Sequence, residues 1–334
     1  MDTSPLLNNL LSPPILFFFL GMLATLVRSD LTIPKDLSRL FALYLLWAIG
    51  FKGGVALRAA GLSWETLAPL AVATALSAVI PLYVAPILRL ARFNAADACA
   101  TAGAYGSVSV VTFITAQKFL ENQSIPFGEH LVAALALMEA PAIVTGVLLY
   151  RALDEESSAR ELFSSRRHEL KHLLHEAAVS GPVFLLLGSI AIGALTGQGG
   201  WQSLKPFSKD IFDGVLVLFL LDSGLTASKQ LRFITGSKRM AAMLSAAIPL
   251  VNAFVALAFI PMLGMSHADG FLFLILVASA SYIAVPAAMK LAIPEANEGL
   301  YLPMALGLTF PFNITIGIPL YYAMAGWVTA DLPV

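Results

Sequence analysis

Two pairs of serine residues recur at matching places in the two halves of the chain. The first pair is Ser107 and Ser109, and the second pair, 172 positions later, is Ser279 and Ser281. Both pairs lie inside long apolar stretches of the sequence. Hydroxyl groups donate hydrogen bonds, and paired, interrupted apolar segments in matching halves of a membrane protein indicate the substrate site of a transporter. The sequence therefore predicts a substrate site around the four serines.

The residues beside the serines favour a break in each helix. Inside a membrane, non-helical backbone is tolerated only where it is buried in protein or lines a cavity. A helix that restarts after such a break directs free N–H groups and the positive end of its dipole at the break, which suits an anion. Alternatively, the small residues only let helices pack closely, and the serines bond back to their own helices. The predicted anion-binding residues are Tyr105, Gly106, Ser107, Ser109, Ser279, Ala280 and Ser281.

A carboxylate in another apolar segment predicts a cation site. Glu139 lies near the middle of its segment, and Pro141 after it frees a backbone carbonyl one turn earlier. Ionisable residues inside a membrane are costly and therefore indicate function. Thr309 and Asn313 offer neutral oxygens in the corresponding segment of the second half, so we predict a sodium site from Glu139, Thr309, Asn313 and Ser109. The alternative for Glu139 is a protonated or hydrogen-bonded carboxyl group that helps the helices to pack.

The composition is that of a membrane protein. Hydrophobic residues make up 58% of the chain and charged residues 12%, and the mean hydropathy is +0.81, whereas soluble domains are about a quarter charged. The net charge of -1 does not favour a nucleic-acid partner, and the single cysteine excludes an internal disulfide. Windows of about 20 residues predict an all-α protein with ten spans. These spans are 13–28, 38–58, 64–90, 95–118, 128–150, 179–197, 207–229, 238–262, 267–290 and 299–327.

The ten predicted spans divide into two sets of five, and an odd number of spans per set inverts the second set in the membrane. Further motifs recur in the same order. Lys35-Asp36 is followed by Gly50, and Lys209-Asp210 is followed at the same offset by Gly224. We therefore predict a first repeat at 1–150, a charged linker at 151–178 and a second, inverted repeat at 179–334.

The lysine and arginine residues predict the orientation. If the N-terminus is outside, far more of these residues fall in the inside loops than in the outside loops, as the positive-inside rule requires. Both termini are therefore predicted outside the plasma membrane. The linker at 151–178 is predicted on the cytoplasmic side.

Three stretches of sequence carry a resemblance to a known family. Residues 308–314 with 317–321, 103–109 and 51–54 resemble the cyanobacterial sodium-dependent bicarbonate transporter family. The resemblance covers essentially the whole chain. It implies sodium/bicarbonate symport that serves the carbon-concentrating mechanism. It also implies a homotrimer whose protomers have a core and a gate domain like the bile-acid/sodium symporter fold, and a PII-like regulatory protein that binds from the cytoplasm.

The residues and the resemblance together predict a sodium-coupled bicarbonate importer. Spans four, five, nine and ten are expected to move against the others in an elevator-like alternating-access cycle, with Na+ as the coupling ion and no organic cofactor. Alternatives are a sodium/organic-anion symporter of the bile-acid type, a sodium/proton antiporter and a non-transporting membrane sensor. The apolar segments hold no Ser–His, Ser–Lys or two-Asp constellation and no histidine cluster, so we predict neither an enzyme nor a transition-metal site.

Overall fold

The computed structural model describes residues 10–61, 63–153, 179, 181–231 and 238–329. Within these ranges the chain forms helices and short connections and has no strand. The prediction of a linker at 151–178 lies outside the described residues from position 154 onward.

The helices of the first half begin mostly at proline or at a residue that caps the helix. Ser63, Asn94 and Ser109 each accept a hydrogen bond from a backbone N–H in the first turn of the helix that follows. The helices are α1 (Pro13–Leu26), α2 (Lys35–Ala60), α3 (Trp64–Leu90), α4 (Ala95–Gly106), α5 (Val110–Asn122), α6 (Val132–Leu137) and α7 (Glu139–Leu153).

The second half has a similar order of helices, but its last segment is irregular. Two π-helical stretches, Pro303–Thr309 and Asn313–Gly317, interrupt that segment, and Pro311 between them has no N–H to donate. The helices are α8 (Gly181–Lys205), α9 (Phe212–Gln230), α10 (Lys238–Leu257), α11 (Phe259–Met262), α12 (His267–Val277), α13 (Ala284–Ala292), α14 (Glu298–Leu302), α15 (Phe310–Phe312) and α16 (Ile318–Thr329).

Seven helical segments in the described part of the chain are long and apolar enough to cross a membrane. Two further apolar helices, α1 and α12, are shorter. The chain is therefore a multi-pass, all-helical membrane protein, and its division into ten spans stays a prediction. The seven segments are Lys35–Ala60, Trp64–Leu90, Ala95–Asn122, Glu129–Leu153, Gly181–Asp210, Arg239–Met262 and Glu298–Thr329.

Two long helix pairs cross between the halves of the chain, since α1 packs along α9 and α2 packs along α8. Glycines bring the backbones of these pairs together. A Cβ atom on Gly224 would lie 2.0 Å from the carbonyl oxygen of Phe18, and a Cβ atom on Gly54 would lie 2.0 Å from that of Ile190. Small residues at such contacts allow the backbones to pack by van der Waals contact where no hydrophobic force drives helices together.

The remaining helices form a second group around the two interrupted segments. In the first half, α4 packs between α3 and α7; in the second half, α12 packs between α10 and α16. Helix α4 is almost entirely buried, and so is α12. The interrupted segments therefore lie at the centre of the protein.

The contact between α1 and α9 predicts a position-specific effect of adding one methyl group. In Gly224→Ala the new methyl meets the backbone of α1, and we expect a loss of about 1–3 kcal/mol. In Gly214→Ala, on the same helix, the methyl meets nothing within 4 Å, and the lower chain entropy of alanine should stabilise the helix by about 0.5–1 kcal/mol. Thermal unfolding in detergent measures both changes, and equal shifts for the two variants would contradict this packing.

Candidate functional site

The first helix break lies where the sequence predicts it, between α4 and α5. Ser107 and Ser109 adopt extended backbone conformations there. Ser109 caps α5, because its Oγ accepts hydrogen bonds from Thr112 N at 3.2 Å and from Thr112 Oγ1 at 2.9 Å. The second break separates α12 from α13 and contains Ser279 and Ser281.

The two breaks are bonded to each other although they lie far apart in sequence. Ser109 N donates to Ser279 Oγ at 2.9 Å, and Ser281 N donates to the carbonyl oxygen of Ala104 at 2.9 Å. Each break therefore satisfies backbone or side-chain groups that the other leaves open. The two serine-containing breaks therefore lie against each other.

A small cavity lies between the breaks and the pair formed by α2 and α8. Its volume is about 30 Å³. Ser109, Ser281, Tyr282 and Glu139 contribute its polar groups. Its apolar wall consists of Leu46, Val108, Val110, Leu135, Pro182, Leu186 and Ile283. Two helix N-termini thus reach the cavity, since α5 begins at Val110 and α13 begins directly after Ile283.

Ser107 and Ser279 occupy equivalent positions but have different surroundings. Ser279 Oγ accepts from Ser109 N and lies 3.2 Å from the carbonyl oxygen of Leu276, to which it donates. Ser107 Oγ is buried and has no hydrogen-bond partner among the described residues. An unsatisfied buried hydroxyl costs about 1–3 kcal/mol. The Ser107 hydroxyl is therefore a candidate for contact with a bound ion.

Glu139 reaches the cavity because the helix before it ends early. Helix α6 ends at Leu137, and α7 begins at Glu139, two residues before Pro141. This break places the Glu139 carboxylate and the Ser109 hydroxyl on the same cavity. Two of the four residues predicted for the sodium site are thus brought together.

Thr309 and Asn313, the other two residues predicted for sodium, lie beside the breaks but do not line the cavity. Thr309 Oγ1 donates to the carbonyl oxygen of Ser245 at 2.7 Å and lies 2.6 Å from Tyr105 Oη. Asn313 Nδ2 donates to the carbonyl oxygen of Ala278 at 2.9 Å, and its Oδ1 accepts from Tyr321 Oη at 3.0 Å. In this structure the two side chains hold the last segment against the breaks.

Tyr105, Gly106 and Ala280 are also buried without lining the cavity, and the same holds for Ser107 and Ser279. Of the seven residues predicted for the anion site, Ser109 and Ser281 line it. Gly106 has a packing role, because a Cβ atom there would lie 2.7 Å from Pro81 Cγ and 2.8 Å from the carbonyl oxygen of Ser77. The glycine lets α4 end directly against α3.

Sequence reasoning missed Asn252, a fully buried residue of α10. Its Nδ2 donates to the carbonyl oxygens of Tyr105 at 3.3 Å and Val277 at 3.2 Å. Its Oδ1 accepts from Tyr83 Oη at 2.6 Å. The sequence feature that could have identified Asn252 is its polar amide in an otherwise apolar segment, because such groups join helices in membranes.

Ion pairs connect the long helix pairs to the second group of helices at the end of α5 away from the break. The Nζ atom of Lys52 lies 2.8 Å from Oε1 of Glu129 and 3.4 Å from Oε1 of Glu121. The Nζ atom of Lys118 lies 2.7 Å from Oε2 of Glu121 and 2.6 Å from Oδ1 of Asp213. A wide cavity of about 730 Å³ borders Lys52, Glu121 and Glu129.

Comparison with known proteins identifies the family. No curated protein matches the chain. The sequence model of the Na+-dependent bicarbonate transporter superfamily, however, matches residues 13–326. This match spans both helix breaks, Glu139 and the irregular last segment. The chain belongs to the Na+-dependent bicarbonate transporter superfamily.

Proposed function

We propose that this protein is a sodium/bicarbonate symporter that imports bicarbonate across the plasma membrane by alternating access. The observation that carries the proposal is the cavity that Ser109 and Ser281, one serine from each break, line together with Glu139. The family supports sodium and bicarbonate as the transported ions.

The anion half of the site uses helix ends and hydroxyl groups. The first turn of a helix leaves N–H groups without intrahelical partners, and the dipole makes this end positive. Helices α5 and α13 both begin at the cavity. The described residues that line it include no lysine or arginine. A small anion held by dipoles and hydroxyls alone is released more readily than one paired with a fixed cation.

The sodium half of the site explains coupling. A deprotonated Glu139 repels an anion in the same small cavity, because like charges a few ångströms apart interact strongly where water is scarce. A sodium ion on Glu139 and Ser109 removes that repulsion and attracts the anion. Each ion therefore raises the affinity of the site for the other, which is a reciprocal coupling. Thr309 and Asn313 join this sodium site only if the last segment moves toward the cavity, because neither residue lines it in this structure.

The size of the cavity favours bicarbonate over a bile-acid-type organic anion. A volume of about 30 Å³ accommodates a few atoms. Binding a steroid-sized anion requires a site many times larger. A bile-acid-type anion therefore lacks room in the cavity between the two breaks.

Exchanged contacts support two inverted repeats, 1–150 and 179–334, joined by the linker 151–178. A Cβ atom on Gly50 would lie 2.9 Å from the side chain of Leu186, and one on Gly224 would meet the backbone of Phe18. Gly50 corresponds to Gly224 by the repeated Lys-Asp motif. Phe18 corresponds to Leu186 when Ser12-Pro13-Pro14 is aligned with Ser180-Gly181-Pro182, so each contact is the counterpart of the other in the second repeat.

A second exchanged contact involves the acidic residue at the start of each interrupted segment. Asp97 accepts from Asn297 N at 2.7 Å, and Asp269 accepts from Gly128 N at 2.5 Å. Each aspartate thus accepts a hydrogen bond from a backbone N–H just before the last helical segment of the other half. This exchange is what two interlocked, inverted five-span repeats produce.

The proposed movement is that of an elevator. The cavity lies between the second group of helices, which carries the serines, and the pair α2 and α8. Carrying the site across the membrane requires the second group to slide along these helices, and the ion pairs of Lys52 and Lys118 then have to break. A homotrimer, a PII-like cytoplasmic partner, outside termini and a role in inorganic carbon accumulation complete the proposal.

Transport of labelled bicarbonate into proteoliposomes tests the function directly. At fixed pH, we expect uptake with an inward sodium gradient and none with an inward potassium gradient. A sodium/organic-anion symporter would instead take up a labelled bile acid with sodium and leave bicarbonate outside. Absence of bicarbonate uptake by folded protein under both gradients would overturn the proposed substrate.

Replacing the unpartnered hydroxyl tests the anion site. Ser107→Ala should leave the thermal stability unchanged or slightly higher, because the hydroxyl has no partner to lose. The KM for bicarbonate should rise at least about tenfold, since a hydrogen bond to a charged group contributes about 1.5–3 kcal/mol. Ser189→Ala is the control, because its buried hydroxyl bonds only to its own helix.

The partnered serine should behave differently. Ser279→Ala removes the acceptor of Ser109 N, so both stability and bicarbonate uptake should fall. Normal transport by both Ser107→Ala and Ser279→Ala would rule out an anion site built from both serine pairs.

Glu139→Gln tests the coupling. The substitution keeps the shape of the side chain and removes the negative charge that needs sodium, so we expect the sodium concentration for half-maximal uptake to rise about tenfold or sodium dependence to disappear. Glu298→Gln, which alters an exposed ion pair with Lys290, is the matched control. Sodium dependence identical to wild type in Glu139→Gln would show that the carboxylate does not bind the coupling ion.

A further inference from the structure

We propose that Asn252 is a positioning residue whose single amide group sets the spacing of the two helix breaks. The expected effect of Asn252 on the affinity for bicarbonate rests on the proposed function. Asn252 lies in α10 and contacts neither the cavity nor its lining serines through a hydrogen bond. Its effect on a bound ion is therefore indirect.

The two carbonyl groups that Asn252 binds are equivalent. Tyr105 precedes Ser107 by two positions, and Val277 precedes Ser279 by two positions. The Nδ2 atom of Asn252 lies 3.3 Å from the first carbonyl oxygen and 3.2 Å from the second. One nitrogen thus joins matching points of the two interrupted segments.

The end of each helix creates the need for this amide. The last four carbonyl groups of a helix have no intrahelical partner, and a carbonyl left unsatisfied in hydrocarbon costs several kcal/mol. Tyr105 lies in the last turn of α4, and Val277 is the last residue of α12. An amide nitrogen carries two hydrogens, whereas a hydroxyl carries one. Asparagine can therefore satisfy both carbonyls together.

Tyr83 fixes the orientation of the amide. Its hydroxyl donates to Asn252 Oδ1 at 2.6 Å, and this bond directs the NH₂ group at the two carbonyls. Tyr83 belongs to α3 and Asn252 to α10. Four helices, two from each half of the chain, thus meet through one pair of side chains.

The consequence for transport is a change in affinity. Ser109 and Ser281 lie four residues beyond Tyr105 and Val277, respectively. An anion that both serines hold at once needs their separation fixed within about 0.5 Å. Loosening the amide contact should weaken binding and leave the rate at saturating substrate largely unchanged.

Transport kinetics of two substitutions test this role. Asn252→Asp keeps the side-chain shape and removes the two amide hydrogens, and we expect the KM for bicarbonate to rise about tenfold, as expected for about 1.4 kcal/mol. Tyr83→Phe removes only the orienting bond and should raise the KM less. In both, Vmax should stay within about twofold of wild type. Ser77→Ala is the control, because it removes a buried hydroxyl from the same helix as Tyr83. This variant should change neither the KM for bicarbonate nor Vmax.

Hydrogen exchange gives a readout that does not depend on transport. Ser109 N and Ser281 N are held by bonds between the breaks. In Asn252→Asp, and less in Tyr83→Phe, peptides covering 104–112 and 277–285 should exchange faster than in wild type. Peptides from α8 should keep the wild-type rate.

The outcomes separate the two proposals. If wild-type protein does not transport bicarbonate, the proposed function falls, and hydrogen exchange still decides whether Asn252 holds the breaks. Unchanged exchange at both breaks would overturn the role of Asn252, and so would faster exchange throughout the protein. A loss of Vmax at unchanged KM would also overturn it. If Asn252→Asp does not fold, Tyr83→Phe decides by the same measurements.

Discussion

The structure depends on one constraint, which is that backbone polar groups inside a membrane must find partners within the protein. The two helix breaks meet this constraint mutually, since Ser281 N binds the carbonyl oxygen of Ala104 and Ser109 N binds Ser279 Oγ. Neither break is satisfied alone, because each supplies part of what the other lacks. The requirement explains why the serine motif occurs twice and why the two copies lie against each other.

The same constraint produces the chemistry of the site. Interrupting a helix leaves N–H groups without intrahelical partners and exposes the positive end of a dipole, and both α5 and α13 begin at a cavity that Glu139 also lines. A positive helix end and a negative side chain in one small space suit an anion and a cation together better than either alone. In the proposed function, coupling between the two ions follows from their attraction and needs no relay between distant sites.

Close packing outside the site separates the protein into two groups of helices. Gly54 and Gly224 let the backbones of the long pairs touch, so α1 with α9 and α2 with α8 form close-packed pairs. The serine-bearing segments belong to the other group, and polar side chains such as Thr309 and Asn313 tie their surroundings to them. Ion pairs of Lys52 and Lys118 join the groups, and such pairs exchange partners more easily than packed glycines separate.

The sequence by itself determined the membrane class, the third helix at its observed bounds of 64–90, the place of both breaks and the family, because hydropathy, small residues and short motifs are local properties. It also identified Glu139 and the serines as candidates. Only the tertiary structure decided which candidates share a cavity. Thr309 and Asn313 bond to backbone carbonyls elsewhere, while Asn252 joins two carbonyls 172 positions apart. Hydrogen-bond partners distant in sequence follow from how the helices cross, and no local pattern encodes that crossing.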